Sequence, residues 1–277
     1  MNKEEIIRRL GENGIKLVKS LGQNFLIDER VLRRQVDFAN LESSETVLEI
    51  GPGIGVLTVE IAKRAGHVIA IEKDIRLAKI LSDVLREKDL LEKCEIKIGD
   101  AVKIELGNFD KVVSNLPYQI SSPITFKIIE NEFKLAILMY QYEFAKRLVA
   151  KVGSKDYSRL TVNVYYKAEV HILEKVPRSA FFPSPKVDSA IVEIKPRKEP
   201  PFEVLDEKNF KDLVDAIFMQ RRKKIKNCIL SNWTKFTKNK DRLEFAVERL
   251  LPNMDKRAEE LTPEDIGKIS NILVKRV

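Results

Sequence analysis

Apolar positions change period along this chain, and the changes divide it. Residues 1–10 are charged and helix-patterned, with residues 4–10 reading as a short helix that ends at Gly11. A basic approach, residues 15–20, leads to Leu21-Gly22-Gln23-Asn24-Phe25-Leu26, read as a loop. Asp28 then caps a helix to about Asn40 with Val31, Leu32, Phe38 and Ala39 on its apolar face. Residues 46–50 form a short apolar run with β-branched members, followed at once by Gly51-Pro52-Gly53-Ile54-Gly55 and a helical pattern over 56–65. The alternation repeats. Strands are expected at 67–72, 94–98, 111–114 and 135–140, and helices at 74–88, after Ser121-Ser122-Pro123, and at 143–151. Strand alternating with helix implies a doubly wound, mostly parallel sheet of the α/β class.

Beyond Gly153 the pattern is different. Residues 158–167 read as helix, while 169–176 and 187–195 read as two strands joined by a Pro-rich loop, a closing antiparallel hairpin that brings the sheet to seven strands. Residues 196–201 form a linker. After it, 209–220, 222–233, 241–251 and 262–276 all carry helical spacing, and Thr262-Pro263-Glu264-Asp265 supplies a cap, Pro at the first helical position and acids in the first turn. The expectation is one large domain over 1–200, with an N-terminal loop over 16–27, and a small all-α domain over 201–277.

Composition narrows the class. The chain has 277 residues, 44% hydrophobic and 33% charged, enough to bury a real core. It has no apolar run of the length that spans a membrane and no signal-peptide pattern, so a cytoplasmic protein is expected, with no membrane partner. Cys94 and Cys228 lack metal-ligand spacing and only two histidines accompany them, so neither structural zinc nor any other metal is expected. Charge changes the picture more. Residues 208–242 hold eleven Lys or Arg against three Asp, a net +8 that equals the excess of the whole chain. Such a block points to an anionic polymer, with Arg221, Arg222, Lys223 and Lys224 at a helix junction as RNA-binding candidates, although a charge run can also simply solvate a helix face.

The stretch with the clearest chemistry is Asn115-Leu116-Pro117-Tyr118, at the end of the fourth expected strand. An exocyclic amine of a nucleobase is a poor nucleophile because its lone pair is delocalised into the ring. Two fixed acceptors, the Asn115 side-chain oxygen and the Pro117 carbonyl, can each take one amine hydrogen and aim the lone pair at a methyl donor, with Tyr118 as a stacking face. The same four residues could be no more than a strand-ending turn. The methyl donor is suggested by three successive strand ends. Gly51 and Gly53 form a turn where a ligand can approach the backbone, Glu72 ends the next strand where it can bind two ribose hydroxyls, and Asp100 ends the third where it can take an adenine amino hydrogen. The spacing Gly-x-Gly-x-Gly, with Val at 56, is not the dinucleotide fingerprint. An adenosyl ligand without phosphates, S-adenosylmethionine, suits the set.

Five ordered motifs resemble those of the ribosomal RNA adenine N6,N6-dimethyltransferases, in the archaeal and eukaryotic-like branch. They are residues 21–26, Glu49 to Gly55, Asn115 to Tyr118, Phe181-Phe182-Pro183-Ser184-Pro185-Lys186-Val187-Asp188-Ser189, and Phe218 to Lys223. The resemblance covers nearly the whole chain. It implies a Rossmann-like class I methyltransferase in which Asn24 and Leu26 touch the cofactor, Gly51 lies under its methionine part, Glu72 and Asp100 hold ribose and adenine, and Asn115 meets both ligands. Tyr118 and Phe181 would sandwich a flipped adenine. The implied reaction puts two methyl groups on N6 of each of two adjacent adenosines near the 3′ end of small-subunit ribosomal RNA, on the small subunit or its precursor, by a protein expected to be monomeric. The rivals are a large-subunit or DNA adenine N6-methyltransferase of the same fold and a non-catalytic RNA-binding assembly factor.

Overall fold

A computed structural model describes residues 1–15 and 24–276, so all of the expected basic approach over 15–20 but Ile15, together with Leu21-Gly22-Gln23, lies outside the described residues. In chain order the elements are α1 (Lys3–Glu12), β1 (Phe25–Leu26), α2 (Glu29–Phe38), β2 (Thr46–Ile50), α3 (Val56–Ala62), β3 (His67–Glu72), α4 (Ile75–Glu87), β4 (Cys94–Ile98) and β5 (Lys111–Asn115). Then come α5 (Ser121–Ile129), β6 (Leu135–Gln141), α6 (Tyr142–Leu148), α7 (Arg159–Lys167), β7 (Ala168–Val176), β8 (Phe181–Phe182) and β9 (Ser189–Pro196). Four helices finish the chain: α8 (Glu207–Met219), α9 (Ile225–Ser231), α10 (Lys240–Arg249) and α11 (Pro263–Arg276). The expected caps form. Asp28 accepts from the Arg30 and Val31 amides, Asp74 from Arg76, and the Thr262 hydroxyl from Asp265. Helix α1 runs one residue past Gly11, which sits inside it, because Asn2 caps its start and the chain turns only after Glu12.

The sheet order is β4-β3-β2-β5-β6-β9-β7. Strands β2 to β6 pair in parallel and β9 runs antiparallel to β6, so the expected seven-stranded sheet with its closing hairpin is present. Strand β2 lies between β3 and β5, which is where the winding reverses. At such a switch point the carboxyl ends of the strands diverge and leave a crevice. The residues that end β2 and β5 there are Ile50, leading into Gly51, and Asn115.

Contacts divide the chain into two compact units. The first comprises Met1–Ala145 and Val170–Pro196, the second Lys146–Glu169 and Arg197–Val277. In the first, alternate residues of the strands, such as Val68 with Ala70 and Ile137 with Met139, join a core with Val31, Leu57, Leu81 and Leu85 of the helices. Helix α1 belongs to it. Ile6 and Leu10, one turn apart, are buried, and Arg9 bridges Glu5 and Glu87 of α4. The second unit has its own core, in which Tyr157, Val162 and Tyr166 pack with Phe210, Leu213, Ile217, Cys228, Leu243 and Ile269. That departs from the expected single cut at residue 200. Helix α7 precedes the last strands in sequence but buries its apolar face among the C-terminal helices, with the Tyr166 ring packed at a tilt against Phe202 and Phe210.

A second departure lies in the loops. Phe25–Leu26, expected within a loop, forms an antiparallel ladder with Phe181–Phe182 of the Pro-rich connection, in the register Phe25↔Phe182 and Leu26↔Phe181. The Ile27 amide adds a 2.8 Å bond to the Ala180 carbonyl.

Candidate active site

A cavity of about 490 Å³ opens at the carboxyl ends of β2, β3, β4 and β5, within the first unit. Its wall contains Asn24, Leu26, Gly51, Gly53, Glu72, Asp100, Asn115, Pro117, Tyr118 and Phe181, so every cofactor-side and amine-side candidate of the sequence meets in one place.

The floor is the turn after β2. Gly51 has φ +70°, and a Cβ there would lie 2.9 Å from Pro117 Cγ and 3.0 Å from its Cδ. No side chain fits. The glycine turn and the Asn-Leu-Pro-Tyr stretch are therefore in van der Waals contact, which brings any ligand lying on Gly51 beside Asn115. Gly53 has φ +59° and sits against the Phe25 ring, where a Cβ would approach Cε1 to 2.8 Å. Its amide donates a 3.0 Å bond to Glu72 Oε2, while the Asp74 amide donates to Oε1 at 2.9 Å. Glu72 is buried, 7% exposed, and burial raises its pKa although those amides favour the carboxylate. The Lys73 amide favours the carboxylate as well, and three amides against about four lone pairs leave capacity for a hydroxyl donor. Asp100 is held differently. Lys73 Nζ lies 3.0 Å from Oδ2 and the Val102 amide 3.1 Å from Oδ1, and the nearby ammonium keeps its carboxyl below the usual range.

The amine side is built at the end of β5. Asn115 Oδ1 is buried and has no hydrogen-bond partner among the described residues. A buried amide oxygen without a donor is costly unless a ligand supplies one. The strand end is fixed from below. Ser114 Oγ donates to the Ile50 carbonyl at 2.6 Å, and Gln35 Nε2 on α2 donates to the Ser114 carbonyl at 3.3 Å. The Pro117 carbonyl, expected as the second acceptor, is engaged. It takes the Ile120 amide at 3.1 Å because a tight turn over Tyr118–Ile120 begins there. The preceding carbonyl, that of Leu116, accepts no hydrogen bond among the described residues, and Leu116 is also on the cavity wall. A carbonyl oxygen has two lone pairs, so Pro117 keeps one for a further donor while Leu116 keeps both. Tyr118 and Phe181, the latter 4% exposed, complete the wall with aromatic faces.

One wall residue was not singled out from the sequence. Glu49, at 2% exposure near the end of β2, leaves Oε2 without a partner among the described residues, and burial pushes its pKa up to about 8, opposed by the Thr58 side chain and with the neighbouring Glu72 adding to the rise. An acid inside the apolar run Thr46–Ile50 was the available signal.

The four basic candidates separate. Arg221 is not offered to a ligand: its guanidinium binds Glu259 at 2.8 Å and the carbonyls of Lys155 and Ser154 at 2.7 and 2.9 Å. Lys224 pairs with Asp255 at 3.0 Å. The side chains of Arg222 and Lys223 are exposed and make no hydrogen bond or ion pair among the described residues. No cluster of three or more metal-ligating side chains occurs among the described residues, and no helix is long and apolar enough to cross a membrane.

Comparison with known proteins adds a second line. A model of the family described as ribosomal RNA adenine dimethylase matches residues 14–275. A protein of Methanosarcina acetivorans named as a probable ribosomal RNA small subunit methyltransferase A is 52% identical over 253 residues, 91% of each chain. Among solved structures, a dimethyladenosine transferase from Plasmodium falciparum superposes with a TM-score of 0.78 at 32% identity, covering 91% of this chain and 98% of its own. The 23S rRNA methyltransferase ErmE gives 0.65 at 31% identity, covering 90% and 99%.

Proposed function

The chain belongs to the ribosomal RNA adenine dimethylase family, and from that premise we propose that it transfers methyl groups from S-adenosylmethionine to N6 of two adjacent adenosines near the 3′ end of small-subunit ribosomal RNA, two to each. The observation that carries the amine chemistry is the buried, unpartnered Oδ1 of Asn115 beside the Gly51 turn. The small subunit is favoured over the large one because relatives near 50% identity are named for the former, while ErmE, named for 23S rRNA, stands at 31%.

The cavity suits the cofactor on its own terms. Two glycines leave backbone bare at the floor, Glu72 presents a fixed carboxylate at the end of β3, Asp100 ends the adjacent strand's turn, and the space is of small-molecule size. S-adenosylmethionine, when bound, supplies a methyl group on a sulfonium that an amine lone pair can displace. Glu72 would hold the ribose hydroxyls, Asp100 the adenine amine, Asn24 and Leu26 the side of the cavity nearest the N-terminal segment. Asn115 Oδ1 and the Leu116 carbonyl would each accept one N6 hydrogen of the target adenine, drawing the nitrogen towards tetrahedral geometry. Tyr118 and Phe181 would stack on the base, which must leave its helix to reach them, each face worth about 1 to 3 kcal/mol. No general base is required, since the methylated nitrogen is strongly acidic and loses its proton to water. After one transfer the nitrogen retains a single hydrogen, so one acceptor suffices for the second. In the second unit, Arg222 and Lys223, whose side chains are exposed, would meet phosphates.

The test is direct. Labelled S-adenosylmethionine is incubated with the protein and with purified small subunits, large subunits or naked RNA, and the digested RNA is examined for N6,N6-dimethyladenosine. Label in the small subunit is expected. Dimethyladenosine confined to large-subunit RNA would reassign the substrate, and cofactor binding without transfer to any RNA would favour an assembly factor.

A further inference from the structure

Tyr118 and Phe181 come from distant stretches of the first unit's sequence, yet two neighbouring residues at the head of β9 hold both. Ser189 is fully buried, and its hydroxyl lies 2.7 Å from the Tyr118 phenol, either atom donating. Asp188, one step earlier, turns the other way. Its Oδ1 accepts the Arg178 amide at 3.1 Å, at the start of the turn Arg178–Ala180 that delivers Phe181, and its Oδ2 pairs with Lys175 at 2.9 Å. The backbone between them is fixed as well. The Asp188 carbonyl accepts the Tyr142 amide at 2.9 Å, and Ser189 is in register with Gln141 at the end of β6.

A stacking ring that is free to tilt would carry the base with it, and the N6 lone pair would miss its line of attack. Apolar packing restrains a ring's position but leaves its tilt and its in-plane slide soft, whereas a hydrogen bond at the phenol oxygen fixes the far end of the ring. A buried serine hydroxyl is an expensive group to keep in a sheet unless it is paired. Here its partner is a wall of the cavity.

We infer that Ser189 is a positioning residue for this reaction: its hydroxyl sets the Tyr118 ring, while Asp188 sets the turn bearing Phe181, so that one pair of neighbouring residues gauges the gap into which the base slides. The inference rests on the reading of Tyr118 and Phe181 as base-stacking faces. It assigns no contact with either ligand to Ser189 itself.

Four variants of the full-length protein test it: Ser189→Ala, Tyr118→Phe, the two combined, and Tyr118→Ala. For each, kcat and KM on small subunits, cofactor affinity by calorimetry, and Tm are measured. Ser189→Ala and Tyr118→Phe are expected each to lower kcat/KM on the order of three- to tenfold, the size of one hydrogen bond's net worth, with cofactor affinity within about twofold of the parent. The combined variant is expected to be no worse than the poorer single one, because both remove the same bond. A buried serine with a purely structural role would instead lower Tm without this coupling to Tyr118. Single variants with parental kcat/KM, or losses that multiply in the combined variant, would overturn the inference provided Tyr118→Ala is inactive. Parental activity of Tyr118→Ala would overturn the stacking reading itself, and the inference with it. Tyr118→Phe reaches the bond from the cavity side, so the test holds even if Ser189→Ala folds poorly.

Discussion

Glu49 is the residue whose chemistry is set most strongly by its surroundings. Ionising it would place a charge in a site with one carboxylate oxygen unpartnered and Glu72 nearby, so burial and that neighbour hold its pKa near 8 against an ordinary 4.5. The sign of the consequence follows from linkage. At low pH both folded and unfolded chains carry the proton. As pH rises past the ordinary value the unfolded chain releases it while the folded one keeps it, so folding stability falls until the folded carboxyl ionises too. Urea-unfolding stability of the parent is therefore expected to decline between about pH 5 and pH 8, and Glu49→Gln to remove most of the decline, leaving the share due to Glu72, whose pKa burial also raises. An equally steep decline in the variant would place the titrating group elsewhere. At Asn115 the expectation is kinetic: Asn115→Ala should keep cofactor affinity within several-fold and lose most of kcat, since the role proposed for the amide oxygen is on the amine as it rehybridises. Equal losses in both would refute the role. Asn115 was legible from the four-residue motif because the motif fixes residue type. Which neighbouring carbonyl is the freer was not legible, because that depends on the turn that follows, which closes onto Pro117 through Ile120.

At the scale of elements, the loop after β4 and the helix after the Asn-Leu-Pro-Tyr stretch are tied by one side chain. Lys127 on α5 donates to the carbonyls of Ala101 at 3.0 Å, Val102 at 3.1 Å and Ile104, gathering the loop that begins at Asp100. Replacing it leaves three carbonyls without that donor. Lys127→Met is expected to cost on the order of 1 to 3 kcal/mol of stability and to weaken S-adenosylmethionine binding several-fold, with Lys127→Arg restoring part of both. Calorimetric titration of the two variants checks this, and unchanged cofactor affinity in Lys127→Met would dissociate the loop from the site. The strands and helices were legible because each holds one period over its length: residues 67–72 and 135–140 read as strands, and Asp28, Asp74 and Thr262 marked helix starts that the structure confirms. The ladder of Phe25–Leu26 with Phe181–Phe182 was not, since two residues define no period and their partners are remote in sequence. It is nevertheless what joins the Asn24–Leu26 side of the cavity to Phe181. Helix α9 illustrates the boundary problem: helical spacing was read from 222, but the helix begins at Ile225 because Lys224 is extended and acts as its cap residue.

For the molecule as a whole, sequence order suggested a cut at residue 200, whereas α7 packs with the helices beyond it, a pairing that no local pattern reveals. The charge pattern needs the same refinement. Of the basic residues between 208 and 242, several are engaged within the second unit: Lys208 pairs with Asp212, Lys226 with Asp255, Lys240 with Glu244, and Arg221 clamps Glu259 and two carbonyls. Net charge counted along the sequence therefore overstates what is available to a polyanion. The exposed side chains of Arg222, Lys223, Lys235 and Lys238 carry no hydrogen bond or ion pair among the described residues, and the first two are those proposed to bind phosphate. Neutralising Arg222 and Lys223 to Gln should weaken binding to small subunits and flatten the log-log dependence on salt, by up to about 0.9 for each phosphate that is no longer neutralised, on the duplex scale. Tm and S-adenosylmethionine affinity should not change. Arg221→Ala should behave in the opposite way. It leaves Glu259 and the Ser154 and Lys155 carbonyls without their donor, so Tm falls, while the salt slope measured below that Tm stays parental. The comparison separates docking from scaffolding within one motif. If the Arg222 and Lys223 double variant keeps the parental slope, these charges only solvate the helical surface, and the groups that bind phosphate must be sought elsewhere on the chain.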